Sequence, residues 1–142
     1  MLGVHKYLLD CGLEHSLLDL VNLRASQLNG CAYSIDMHWK ELRAMGEKEQ
    51  RLYMLSAWRE SGLYTDREMA ALEWTEAVTM IADGRVPDEV YAKVRPFFTE
   101  HELANLTMAV ATINSWNRIG IALRKPPGGF VSPAKPRVVA SA

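Results

Sequence analysis

Apolar residues recur along this chain at spacings of three and four, and almost no stretch alternates apolar with polar as a half-buried strand does. The pattern predicts an all-α fold of six or seven helices. A short helix over about 2–9 ends near Gly12, and a second over about 14–27 places Leu17, Leu18, Val21 and Leu23, with Leu28 behind them, on its apolar side. Asn29-Gly30 then punctuates the chain. A third helix begins around Cys31 and runs through His38 and Leu42 to about Ala44, where Gly46 can close it in a left-handed turn. A fourth is expected over 47–59, a turn at Ser61-Gly62, and a fifth over 66–82 opened by Thr65 with Glu68 three residues on, the spacing of a capping box. A short helix over 88–94 and a long one over 100–123 follow. The long one has its own box in Thr99 and Glu102 and core spacing in Leu103, Leu106, Val110, Ile113 and Trp116. From Pro126 the run Pro-Pro-Gly-Gly-Phe, then Pro133 and Pro136, forbids helix. The expected organisation is a helical domain over 1–125 and an extended tail over 126–142.

A length of 142 residues with 49% hydrophobic content suits one domain with one buried core. The 16 basic and 17 acidic residues are spread evenly and give no electrostatic reason to bind nucleic acid or an anionic membrane. No apolar run approaches the roughly 20 residues that span a bilayer, so the reading is a soluble, cytoplasmic protein. Two cysteines, Cys11 and Cys31, are too few for a disulfide scaffold and fit a reducing compartment.

The chemistry concentrates in the third helix. At about 100° per residue, Ser34 lies roughly 60° and His38 roughly 20° from Cys31 around the axis, so the three share one stripe over two turns. The N-terminus of a helix favours a thiolate, and a histidine two turns on can exchange a proton with it directly or through water. For an arbitrary Cys-x6-His pair the plainer reading, a buried structural cysteine, is the commoner one. Ser34, His38 and Asp19 also invite a hydrolase reading, but the strand-to-helix turn and oxyanion hole of a hydrolase serine have no counterpart here. His5, His15, His38 and His101 stand singly, so no metal site or other cofactor is expected. His15 reads as a surface residue and Asp36 with Lys40 as an i, i+4 pair worth a few tenths of a kcal/mol. Of Trp39, Trp58, Trp74 and Trp116, most read as core or interface anchors. Trp39, beside His38, is the candidate for a substrate pocket.

The run from Leu17 to His38, containing Asn29-Gly30-Cys31-Ala32-Tyr33-Ser34-Ile35-Asp36-Met37-His38, closely resembles the core motif of AhpD-like alkylhydroperoxidases of the carboxymuconolactone decarboxylase superfamily. The resemblance continues through Glu49-Gln50-Arg51-Leu52-Tyr53, Trp58-Arg59-Glu60, Ala71-Leu72-Glu73-Trp74-Thr75-Glu76-Ala77 and Ile113-Asn114-Ser115-Trp116-Asn117-Arg118 to Pro126-Pro127-Gly128, about four fifths of the chain. It implies an all-helical homo-oligomer, a dimer, trimer or hexamer. It also implies hydroperoxide reduction driven by a dithiol such as a dihydrolipoyl group or by a thiol protein, without metal or flavin. In the redox members an acidic residue precedes Cys-x-x-Cys-x-x-x-His. The second cysteine attacks the peroxide, the first resolves it as a disulfide, and histidine and acid relay protons. By this resemblance Cys31 matches the resolving cysteine, His38 the relay histidine, and Asp19 the acid, usually a glutamate.

Ser34 is the departure, since it stands where the attacking cysteine belongs and a hydroxyl cannot reduce a peroxide or form a disulfide. Tyr33 also replaces a histidine found in the best-characterised branch. Three explanations for Ser34 compete: an engineered substitution, a natural one that leaves Cys31 to form a sulfenic acid resolved by an external thiol or by Cys11, and a dead site. Two other functions stay open beside the peroxidase. One is a decarboxylase of the carboxymuconolactone type, which does not use the cysteine motif. The other is an inactive oligomeric binding or structural protein.

Overall fold

The computed structural model describes residues 1–133; residues 134–142 of the expected tail lie outside the described residues. The regular structure of the described residues is all helical, with no strand: α1 (Leu2–Leu9), α2 (His15–Asn29), α3 (Ala32–Ala44), α4 (Glu49–Tyr53), α5 (Trp58–Ser61), α6 (Asp66–Thr79), α7 (Asp88–Val94) and α8 (Glu100–Ala122), with 3₁₀ turns at Leu55–Ala57 and Arg95–Phe97. Both expected capping boxes form. Thr65 accepts from the Glu68 amide and Thr99 from that of Glu102, while each glutamate reaches back to the backbone N–H of its cap.

The expected single helix over 47–59 is instead α4, a 3₁₀ turn and α5, so the α-helices number eight rather than six or seven. The reason is the spacing of its apolar residues. Leu52, Leu55 and Trp58 all enter one core cluster. At 3.6 residues per turn they would spread over about 120°, whereas the three-residue turn of a 3₁₀ segment brings positions i and i+3 into line.

Helix α2 is the axis of the fold and packs against α3, α6 and α8. Its Leu17, Leu18 and Val21 join a cluster with Ala71, Trp74, Val94, Phe98, Leu106 and Val110. Its Leu20 and Leu23 turn the other way, to Leu42, Leu52, Leu55, Trp58, Tyr64 and Leu72. Two apolar faces on one helix explain why α2 is buried on both sides. Beyond Leu23 it carries the small buried residues Ala25 and Ser26, and there α8 meets it through polar groups. After α8 the chain runs extended over α3. The Gly128 amide donates to Asp36 Oδ2, Lys40 Nζ donates to the carbonyls of Gly128 and Phe130, and Ser132 Oγ donates to Glu41 Oε2. The Asp36 and Lys40 pair, 2.8 Å apart, thus anchors the start of the tail as well as bridging one turn of α3.

Candidate active site

Gly30 adopts the left-handed conformation at φ 70° and ends α2. Its amide donates to the Gln27 carbonyl and that of Cys31 to the Ser26 carbonyl, the two bonds of a Schellman turn. The Cys31 carbonyl then accepts the first bond of α3, from Ile35. Cys31 is therefore both the last residue of one helix terminus and the N-cap of the next, and its backbone is fixed from both sides.

Its side chain caps no amide; Sγ donates instead to Ser34 Oγ at 3.2 Å. The two side chains stand at the N-cap and N3 positions, so a capping-box spacing is occupied by a thiol and a hydroxyl. Both are buried, as are His38 and Leu42 further along α3. The stripe expected from the spacing of Cys31, Ser34 and His38 is thus the inward face of this helix.

Asp19, on α2, is brought to His38, with Oδ1 3.3 Å from Nδ1. The distance is within ion-pairing reach, but the direction does not make a hydrogen bond, and neither ring nitrogen of His38 has a hydrogen-bond partner among the described residues. His38 therefore does not touch Ser34 or Cys31 through a hydrogen bond. Both cysteines are free. Cys11 packs against the cluster of Leu8 and its neighbours, whereas Cys31 lies under α8.

Tyr33 faces outward beneath Lys125, whose Nζ lies 5.2 Å from the ring centre. Trp39 is half-buried and packs against the cluster of Leu42 and Trp58. Trp58 and Trp74 are buried and Trp116 is half-buried. Two surface cavities, of about 350 Å³ beside Tyr7 and Met108 and about 220 Å³ beside Arg59 and Glu73, include none of Cys31, Ser34 and His38. Among the described residues no group of His, Cys, Asp and Glu could hold a metal ion, and no helix is long and apolar enough to cross a membrane.

Sequence reading missed the asparagines that hold the roof over this site. Asn29 Nδ2 donates to Oδ1 of both Asn114 and Asn117 on α8, and Asn117 Nδ2 donates to Ser26 Oγ. Asn114 in turn donates to Thr79 Oγ1 at the end of α6. The network joins the residue two before Cys31 to the helix that covers it.

A buried thiol and hydroxyl thus stand at the start of α3, with a buried histidine further along the same helix and an acidic residue of α2 beside it, in an all-helical chain. A model of the carboxymuconolactone decarboxylase family matches residues 1–77. The uncharacterized protein YdfG of Bacillus subtilis is 45% identical over 123 residues, 87% of this chain and 84% of its own. The chain belongs to the carboxymuconolactone decarboxylase family, among its AhpD-like members. A crystal structure of ATU0492 from Agrobacterium tumefaciens, a protein of unknown function provisionally assigned to AhpD antioxidant defence, superposes with a TM-score of 0.87 at 41% identity. It covers 91% of this chain and 88% of that one. An uncharacterized peroxidase-related protein from Silicibacter sp. TM1040, 18% identical with a TM-score of 0.73, shares the fold over 83% of this chain and 62% of its own.

Proposed function

We propose that this protein reduces hydroperoxides with Cys31 as its one reacting sulfur, drawing electrons from an external thiol such as a dithiol of the dihydrolipoyl type. The observation that carries the reading is the 3.2 Å contact of Cys31 Sγ with Ser34 Oγ at the start of α3, on the same buried stripe as His38. The Cys31 thiolate attacks the terminal peroxide oxygen, the S–O bond forms as the O–O bond breaks, and the alcohol leaves with the proton the thiol gave up. Sulfur is oxidised by two electrons and the peroxide reduced by two. One external thiol then displaces water from the sulfenic acid to give a mixed disulfide, and a second releases Cys31 as the thiol.

In this scheme His38 carries the proton, Asp19 is its acidic neighbour at 3.3 Å, and the Ser34 hydroxyl stands at hydrogen-bond distance from the reacting sulfur in place of a second thiol. The assignment of ATU0492 to antioxidant defence is in keeping with the reading. Exposed Leu2, Tyr7 and Met108 on α1 and α8 suit contacts within a homo-oligomer, and the two free thiols suit a cytoplasmic setting.

The test treats the native chain with one equivalent of cumene hydroperoxide, traps sulfenic acid with dimedone, and follows peroxide consumption with dihydrolipoamide. The Ser34→Cys variant is measured beside it. Dimedone labelling at Cys31 and turnover that rises in the variant are expected, since a second thiol at position 34 allows resolution within the site. Consumption by neither chain overturns the proposal, and a folded protein whose Cys31 resists every thiol probe returns the site to a structural role.

A further inference from the structure

The apolar core of α8 stops short of the Cys31 sulfur. Its buried apolar side chains end at Ile113, and beyond that point the one buried side chain of the helix is Asn117. One turn further on, Gly120 brings α8 onto Cys31, so closely that a Cβ at that position would stand 3.3 Å from Sγ. The turns of α8 that cover the sulfur therefore have a polar anchor where the rest of the helix has apolar ones. After α8 the chain is tied to α3 through Asp36 and Lys40, but those side chains are partly exposed and such a pair contributes little.

Asn117 has no exposed surface, and both ends of its amide are engaged. Nδ2 donates to Ser26 Oγ at 3.0 Å, and Oδ1 accepts from Asn29 Nδ2 at 2.9 Å. Both partners belong to the turn that delivers Cys31. Ser26 is the residue whose carbonyl takes the Cys31 amide at 3.0 Å, and Asn29 is the last residue of α2. The Ser26 hydroxyl, equally buried, gives its own proton to the Asn22 carbonyl and so meets Asn117 as an acceptor. An apolar side chain in such a contact fills space and tolerates a slide. A buried amide is satisfied only where its donor and its acceptor both meet their partners. We infer that Asn117 is a positioning residue for Cys31: it registers the end of α8 on the turn at 26–31 and so holds the cover on the sulfur. Asn114, one turn back, is a different tie, since its Nδ2 donates to Thr79 on α6 and to the Val110 carbonyl of its own helix. The inference rests on the proposed function for the importance of the sulfur and on geometry alone for the cover.

The experiment follows alkylation of Cys31 by iodoacetamide, read on its own peptide by mass spectrometry, as urea is raised below the unfolding transition. Labelling through global unfolding climbs with urea, whereas labelling through a local displacement of α8 does not. Asn117→Ala and Ser26→Ala delete the same hydrogen bond from its two sides. Each should raise the urea-independent rate at least fivefold, and the double variant should stay within twofold of the faster single one. Asn114→Ala, which leaves that bond in place, should stay below fivefold. So should Leu55→Ala, a control destabilised in the other core cluster. A rise below fivefold in Asn117→Ala overturns the inference, as does an equal rise in Leu55→Ala or Asn114→Ala, or a double variant whose effects multiply. If Asn117→Ala does not fold, Ser26→Ala, which removes a single hydroxyl, decides by the same fivefold criterion. These rates need no peroxide, so failure of the dimedone test would end the proposed function and leave the positioning role to be judged on alkylation.

Discussion

The cluster around Arg51 and the cluster around Cys31 are both buried, but only one of them is closed. Arg51 donates through Nε to Glu47, through both terminal nitrogens to Glu68, and to the Leu63 carbonyl, with its guanidinium 4.7 Å from the Tyr64 ring centre. Glu68 also completes a capping box, and the Tyr64 hydroxyl donates to the Arg51 carbonyl. Glu47 Oε2 is the single atom of this cluster left without a partner. In the Cys31 cluster neither ring nitrogen of His38 has a hydrogen bond from the described residues, Cys31 caps no amide, and α8 approaches the sulfur at Gly120. Burial is costly for polar groups in either place. The first cluster offsets that cost with bonds inside the chain and is structural. The second offers its histidine only an acidic neighbour at 3.3 Å and no hydrogen bond from the described residues.

The largest effect should follow from opening the closed cluster. Arg51→Met leaves the Glu47 and Glu68 carboxylates buried without their cation, a change that costs about 3–5 kcal/mol when one partner of a buried pair is removed. Denaturant unfolding should show that loss as a lower midpoint with the slope unchanged. Below the midpoint, Cys31 should be oxidised at close to the native rate. A variant that keeps its stability but loses oxidation would reverse the roles assigned to the two clusters.

His38→Gln attacks the open cluster and should give the opposite signature. No hydrogen bond within the chain is lost, so unfolding free energy should change by about 1 kcal/mol or less. Loss of a positioned proton carrier typically slows reaction by about 10²-fold, and Cys31 oxidation should fall by that factor. Asp19→Asn should fall less, since that carboxylate acts through His38 across 3.3 Å without a hydrogen bond. Equal losses of stability and rate in His38→Gln would mean that this histidine is packing.

The contrast also marks what could be read from the residues. Periodicity located α1, α3, α7 and α8 to within a residue or two, because their boundaries are set locally by capping residues and breakers such as Thr99, Gly30 and Pro126. The break within 47–59 was not legible, because it is imposed by three apolar residues reaching one distant cluster. At the site, the Cys31, Ser34 and His38 stripe is a property of one helix and could be derived from spacing, whereas the approach of Asp19 to His38 depends on how α2 packs on α3. Gly120 and the Asn29, Asn114 and Asn117 network depend on how α8 crosses the start of α3, and no local pattern encodes a crossing.

Glu76 supplies an intermediate case and the smallest of the three effects. Its carboxylate is mostly buried, which pushes its pKa up. Hydrogen bonds from Trp58 Nε1, Arg59 and Arg24, with the charge of Arg24, outweigh that and hold it below the usual carboxylate value of 4.5. A carboxylate depressed in the folded state binds its proton more readily unfolded. The stability it contributes is therefore full above about pH 4.5 and is lost as pH falls through the folded value. Glu76→Gln should cost stability at pH 7, where its amide cannot accept from three donors at once and presents an N–H to one of them. The gap from the native chain should narrow steadily below about pH 4.5. Asp36, lowered by the hydrogen bond from Lys40, and Glu102, lowered by that from the Thr99 amide, keep some acid sensitivity in the variant. Midpoints measured in denaturant at pH 3 and pH 7 decide the matter. A gap that stays constant would show that the neutral geometry of the Trp58 contact, and not the charge, is what this cluster contributes.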